Sequence, residues 1–257
     1  METRGIGVMA IQETHVTGSP YFTFEKYLVI LSGGNGPREW AGVGFVVAPS
    51  LRHSVMAFTQ HSPRLASLKI RVTGGTLVVI SAYAPQSGRP PAERQDFFHE
   101  LQEVHKNAKA HGATLILGDL NARIHHTSPD EDDIFGPHVF GNPAAIHTAT
   151  GNREFLVETC RTLNLVVCNT RIAQPREKLV TYFNLKASPS SPLSYQSFAQ
   201  LDLALIPATW EHVVHNVSDR SAAFQIHNYR AQRGIWFSYV TPLTTHSPLT
   251  HRTNRRR

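Results

Sequence analysis

The sequence predicts an α+β protein in which two mostly antiparallel sheets stack face to face with helices outside them. Three observations carry this. Short apolar runs of strand length recur along the chain, each closed by Gly, Pro, Asn or Asp. Only two segments of real length show a helical period. No internal repeat or linker divides the chain, and 257 residues with 41% hydrophobic content suffice for one large core.

Val8-Met9-Ala10-Ile11 reads as a buried strand running into Gln12-Glu13-Thr14-His15. Residues 21–31 alternate loosely, with Phe22, Phe24 and Tyr27 as bulky members, and stop at Ser32-Gly33-Gly34. A strand over 42–47 is closed by Pro49. Residues 65–72 set Leu65, Ser67, Lys69 and Arg71 against Ala66, Leu68, Ile70 and Val72, the alternation of a half-buried antiparallel strand. Gly74-Gly75 forms a hairpin turn into a strand over 76–83, which Ala84-Pro85 ends. Residues 90–110 are the strongest helix: Pro90-Pro91 can open it, and Phe97, Leu101, Val104 and Ala108 share one face.

A buried strand over 114–117 follows, expected to break at Gly118. Residues 125–149 are irregular, with an acidic cluster (Asp130, Glu131, Asp132, Asp133) and four histidines without ligand spacing, so they read as a solvated loop. A helix over 152–163 turns Phe155, Leu156, Thr159 and Leu163 inward. Strands follow over 165–168, 179–185 and 201–206, the last two separated by a Ser- and Pro-rich loop. Val213-Val214 starts a further strand. Beyond His227 the periodicity dissolves, and 229–257 reads as a loose basic tail.

The formal charge of +6 and the pI of about 9.5 favour an anionic partner such as nucleic acid. Two cysteines, Cys160 and Cys168, are too few for a disulfide framework and read as reduced core thiols of an intracellular protein. The first residues lack the pattern of a signal peptide, and no apolar run is long enough to span a bilayer, so no membrane partner is expected.

Chemistry concentrates at strand ends. Asp119 and Asn121 follow a buried strand two residues apart; an extended chain would project both side chains from one face. An acid and an amide there suit a metal-held water and a phosphate oxygen. The same residues also suit a plain turn. Glu13 ends the first strand in the same manner, with a helix cap or exposed turn as the other reading. Asp202 sits alone among aliphatics and needs a partner, because a buried unpaired carboxylate is costly.

Taken in order, these motifs resemble the endonuclease/exonuclease/phosphatase superfamily, nearest to the AP-endonuclease-like nuclease domains of LINE-type (non-LTR) retrotransposons. Gln12-Glu13-Thr14-His15 is similar to that family's metal-ligand motif, and Gly42-Val43-Gly44-Phe45-Val46 to its glycine-led second strand. Ser81-Ala82-Tyr83-Ala84-Pro85 resembles the strand whose tyrosine contacts the scissile phosphate, and Gly118-Asp119-Leu120-Asn121-Ala122 the most specific motif. Residues 151–156 with Cys160, Leu165 and Asn169-Thr170 resemble the retrotransposon-type helix and strand. Thr181-Tyr182-Phe183 and Gln200-Leu201-Asp202-Leu203 fall where the last active-site strands would lie.

The resemblance implies a DNase I-like four-layer α/β/β/α sandwich over residues 1–228. Two departures accompany it. The family's opening strand, with its asparagine, has no counterpart, so an N-terminal truncation is expected. The closing aspartate-histidine pair is not intact: Ser218-Asp219-Arg220 lacks the histidine and Ile226-His227-Asn228 lacks the aspartate. His227 is the better candidate, because Asp219 follows Asp202 too closely for the intervening strand to finish, turn and run back.

By the resemblance, Glu13 and Asp119 hold Mg²⁺ or Mn²⁺. Asp119 orients or deprotonates the attacking water, and Asn121 fixes that water or a phosphate oxygen. Tyr83 donates to the phosphate, and His227, held by Asp202, adds positive charge. The expected function is Mg²⁺-dependent nicking of DNA by a nuclear monomer, weakened by its two departures. The other readings are a catalytically dead nucleic-acid-binding remnant and a phosphatase acting on a lipid or inositol phosphate.

Overall fold

The computed structural model describes residues 1, 6–36, 41–72, 74–142, 151–183, 197–213 and 236–239. Its strands are β1 (Val8–Gln12), β2 (Tyr21–Phe24), β3 (Tyr27–Ser32), β4 (Val43–Val47), β5 (Val55–Ser62), β6 (Leu65–Val72) and β7 (Gly75–Tyr83). They continue as β8 (Ala113–Asp119), β9 (Leu165–Val167), β10 (Tyr182–Phe183), β11 (Phe198–Ala199), β12 (Asp202–Pro207) and β13 (Trp236–Tyr239). The helices are α1 (Pro91–Lys109) and α2 (Arg153–Leu163). One sheet has the order β13-β1-β4-β3-β2, the other β5-β6-β7-β8-β12-β9, and β10-β11 form a small ribbon. The expected α+β architecture of two stacked sheets is what forms. Among the described strands pairing is antiparallel except between β7 and β8, which α1 connects.

Alternation along the strands makes two apolar layers. Between the sheets, Phe45 and Val43 of β4 meet Leu68, Ile70, Val79 and Leu117. Outside the six-stranded sheet, Ile80, Ile116 and Leu203 meet Phe98 and Leu101 of α1 and Leu156 of α2. Each such side chain contributes about 1.5–3 kcal/mol by leaving water. The stripe Phe97, Leu101, Val104 and Ala108 is buried as its spacing predicts. Leu156, Thr159 and Leu163 are buried too, while Phe155 is partly exposed and stacks on Phe98 at 5.7 Å between ring centres. Both cysteines are buried free thiols.

Polar contacts between the sheets gather at one end of the sandwich. The wholly buried Gln12 donates from Nε2 to Ser81 Oγ at 3.1 Å, and that hydroxyl donates to the Ile11 carbonyl. Gln60 Nε2 donates to the Gly33 carbonyl at 2.9 Å, the Ser19 hydroxyl donates to Gln60, and Ser32 reaches the Ser62 carbonyl.

Several elements depart from expectation. Residues 21–31 are a hairpin: β2 and β3 are joined by a turn in which Glu25 takes φ 54°, and Tyr21, Phe22 and Phe24 stay exposed. β5 had no sequence signal because it is a mostly exposed edge strand with two register shifts against β6. Gly118 does not break β8. It pairs with Ala82, and any Cβ at 118 would sit 1.8 Å from the Ala82 carbonyl oxygen, so only glycine allows this approach. Residues 208–213 form 3₁₀ turns; the strand expected from Val213-Val214 lies, beyond Val213, outside the described residues.

The acidic loop is not wholly solvated: Glu131 is 6% exposed and Arg153 7%. Arg153 grips Glu131 with two hydrogen bonds of 2.9 and 2.5 Å, and donates to the carbonyls of Ile124 and His126. Within the expected tail 229–257, β13 pairs antiparallel with β1. No helix among the described residues is long and apolar enough to cross a membrane.

Candidate active site

The ends of β1, β7 and β8 and the start of β12 lie at the polar-stitched end of the sandwich. β7 and β8 run parallel with Tyr83 beside Asp119, and β12 runs antiparallel to β8 with Asp202 beside Asp119. Three predicted site residues therefore occupy adjacent register positions on neighbouring strands. The Gln12–Ser81 bridge fixes the end of β1 against β7. One residue on, Glu13 Oε1 accepts a 2.6 Å hydrogen bond from the Tyr83 hydroxyl.

Asn121 joins them by a turn, one of the two readings its sequence left open. Its φ is 47°, its backbone N–H donates to Asp119 Oδ1 at 2.9 Å, and its Nδ2 donates to the Ala84 carbonyl at 2.8 Å. Asn tolerates left-handed backbone because its short side chain bonds locally. Glu13 adopts φ 53° without that advantage, a strain of order 1–2 kcal/mol that the surrounding bonds hold in place. The Ala84 N–H donates to the Asp119 carbonyl, so the ends of β7 and β8 are tied in both directions.

The electrostatics follow from crowding acids in a buried place. Burial first, then the Asp202 charge and more weakly Glu13, push the Asp119 carboxyl well above the usual range; the Asn121 N–H and Arg64 oppose this. Burial also raises the Asp202 carboxyl, against a hydrogen bond from the Thr181 hydroxyl, and Glu13 adds to the rise. Asp202 is 7% exposed, and its Oδ1 has no hydrogen-bond partner among the described residues. The Tyr83 phenol is raised by burial and then by Glu13, so it stays a proton donor.

Glu13, Tyr83, Asp119, Asn121 and Asp202 thus come together. His227, with Asp219 and Arg220, lies outside the described residues. Two further participants escaped sequence reasoning. Arg64, in the turn between β5 and β6, holds its guanidinium 5.0 Å from the Tyr83 ring centre, donates to the Tyr83 carbonyl at 3.3 Å, and counters the Asp119 charge. Only the β6–β7 register brings a turn arginine there. Thr181 accepts the N–H groups of Leu201 and Asp202 on one hydroxyl oxygen. Its place in Thr181-Tyr182-Phe183 marked the strand but not this role.

The endonuclease/exonuclease/phosphatase family profile matches residues 4–238. Craniofacial development protein 2 of Bos taurus is 25% identical over 223 residues, covering 87% of this chain and 35% of the relative. The Tragulus javanicus protein of the same name is 23% identical over the same length and 36% covered. The chain therefore spans about a third of the length of these curated relatives. Among solved structures, the AP endonuclease LMAP of Leishmania major superposes with a TM-score of 0.60 at 14% identity, covering 83% of this chain and 73% of that one. The Xenopus laevis APE2 catalytic domain gives 0.59 at 14% identity, with 82% and 77% covered. The endonuclease domain of TRAS1, a telomere-specific non-LTR retrotransposon, gives 0.51 at 12% identity, with 84% and 79% covered. These likenesses establish the DNase I-like fold, and the match over nearly the whole chain establishes the lineage: the chain belongs to the endonuclease/exonuclease/phosphatase family.

Proposed function

We propose that this domain is a metal-dependent phosphodiesterase that nicks DNA, of the AP-endonuclease-like kind found in non-LTR retrotransposons. The observation that carries the reading is the convergence of Glu13, Asp119 and Asp202 with Tyr83 and Asn121 at one end of the sandwich. Asp119 and Asp202, whose carboxyls burial raises beside Glu13, bring an unpartnered Asp202 oxygen to this end and offer oxygen donors of the kind a hard divalent cation takes. Among the described residues no three His, Cys, Asp or Glu side chains are grouped to hold a metal between them. The ion of this reading is Mg²⁺ or Mn²⁺, held by Glu13 and Asp119 with waters completing its shell.

Such an ion supplies charge neutralisation at the phosphate when bound. The chain's residues supply the rest. Asp119 takes the proton of the attacking water, and Asn121, braced on Ala84, fixes that water or a phosphate oxygen. Tyr83 turns its hydroxyl from Glu13 to the phosphate. His227, steadied by Asp202, adds positive charge. The net charge of +6 favours a polyanion over a small phosphate ester. A DNA substrate puts the site of action in the nucleus, and the enzyme works as a monomer.

The test is nicking of supercoiled plasmid by the full chain with millimolar Mg²⁺, against EDTA, with Asp119→Asn as the control. Nicking that needs the metal and falls about a hundredfold or more in Asp119→Asn supports the reading. Absence of nicking, or nicking untouched by EDTA, overturns it. Salt-dependent DNA retention without cleavage would instead mark a binding remnant, and release of inorganic phosphate from inositol phosphates a phosphatase.

A further inference from the structure

Asp202 reaches the cleft on a strand whose outer edge has lost its neighbour. β9 pairs with β12 at only three positions, Leu205↔Val167, Ile206↔Val166 and Pro207↔Leu165. The next residues, Cys168–Thr170, leave the sheet as a 3₁₀ turn. On the other side β12 stays paired with β8, and the Leu201 carbonyl accepts the Leu120 N–H. Antiparallel strands alternate the direction of their backbone groups. The amides and carbonyls of Asp202 and Ala204 therefore point away from β8, toward the place β9 has vacated.

A side chain fills that place. Asn169 Oδ1 accepts the Ala204 N–H at 2.6 Å, and its Nδ2 donates to the Asp202 carbonyl at 3.3 Å. A carboxamide offers one acceptor and one donor in one plane, as a peptide group does. The Asp202 N–H is taken by Thr181. Both backbone groups of Asp202 are thus held by side chains and not by a strand. Thr170 keeps Asn169 in position: its hydroxyl donates to the Val167 carbonyl and accepts the Gly136 N–H.

We infer that Asn169 is a positioning residue that replaces the missing stretch of β9 and so sets the Asp202 carboxyl at the cleft. The brace rests on geometry alone, whereas its effect on turnover rests on the phosphodiesterase reading above. A merely structural Asn169 would lower stability and leave turnover per folded molecule untouched. A positioning Asn169 lowers kcat and leaves KM alone.

The experiment compares wild type, Asn169→Ala, Asn169→Asp and a remote destabilised control, Leu163→Ala at the end of α2. It reads amide hydrogen exchange at Ala204 and Mg²⁺-dependent nicking kinetics. Asn169→Ala is expected to speed Ala204 exchange about tenfold or more, the loss of one hydrogen bond. Its kcat is expected to fall at least tenfold with KM within about twofold. Asn169→Asp keeps the acceptor, so it keeps Ala204 protected while losing the donor to Asp202. Leu163→Ala lowers the melting temperature with kcat unchanged. Unaltered Ala204 protection in Asn169→Ala overturns the brace, and a kcat loss no greater than in Leu163→Ala overturns the positioning role. If wild type itself does not nick, the phosphodiesterase reading falls and the exchange data alone judge the brace.

Discussion

Replacing Arg153 by Met isolates the buried charge pair under the loop that follows Asn121. Arg153 makes two hydrogen bonds to Glu131 and one each to the carbonyls of Ile124 and His126, and its guanidinium lies 5.6 Å from the Phe135 ring centre. Met fills much of the volume but leaves the Glu131 carboxylate, 6% exposed, without its counter-charge. Removing one partner of a buried pair typically costs about 3–5 kcal/mol. The two stranded carbonyls place this case toward the upper part of that range. For a domain of this size that is a fall of roughly 10 °C in melting temperature. Urea unfolding of wild type, Arg153→Met, Glu131→Met and the double variant measures it. The double variant should recover part of the loss, because no charge then remains buried. An Arg153→Met loss below about 1 kcal/mol, the scale of an exposed pair, would refute the claim that this pair anchors the loop.

The remaining expectations are briefer. His105 on α1 is 2% exposed with neither ring nitrogen hydrogen-bonded among the described residues, and burial, then Lys109, bring its pKa down to about 4. The folded state holds this ring neutral, so its contribution is whole above the unfolded value of 6.5 and is lost as pH falls from there toward 4. Urea titrations should show about 2 kcal/mol lost between pH 7.5 and 5 through this group, and His105→Leu should flatten that slope; an unchanged slope would show that the ring is solvated. Millimolar Mg²⁺ should raise the melting temperature, because it relieves repulsion among Glu13, Asp119 and Asp202 in the folded state alone. Glu13→Ala should remove the shift, and coincident melts of wild type with and without Mg²⁺ would remove the metal from the proposal.

What the sequence shows and what it hides divide along physical lines. α1 was legible because Phe97, Leu101, Val104 and Ala108 are spaced by the helix's own period, and β6 because its alternation is the pleat itself. The motif residues Glu13, Tyr83, Asp119, Asn121 and Asp202 were legible because each ends or sits in an apolar run and because those runs, in order, resemble the motifs of one family. β5 was not, because an exposed, bulged edge strand has no buried face to write a pattern. Glu131 could not be told from Asp130, Asp132 and Asp133, since its burial is decided by Arg153 on another element. Arg64 and Asn169 act through strand register, which local sequence does not encode.

The cross-sheet contacts of Gln12, Ser32 and Gln60 have a mechanical consequence. Apolar faces between stacked sheets resist separation but grip weakly against sliding, since one methyl replaces another at little loss. Hydrogen bonds break when displaced by a fraction of an ångström. With these rivets at one end, the sandwich acts as two plates pinned beside their working edge. Thermal shear then grows with distance from the pins, so the margins far from Glu13 and Asp119 take up the movement. The spacing between the strand ends beside these bonds is then held more tightly than the spacing at the far margins.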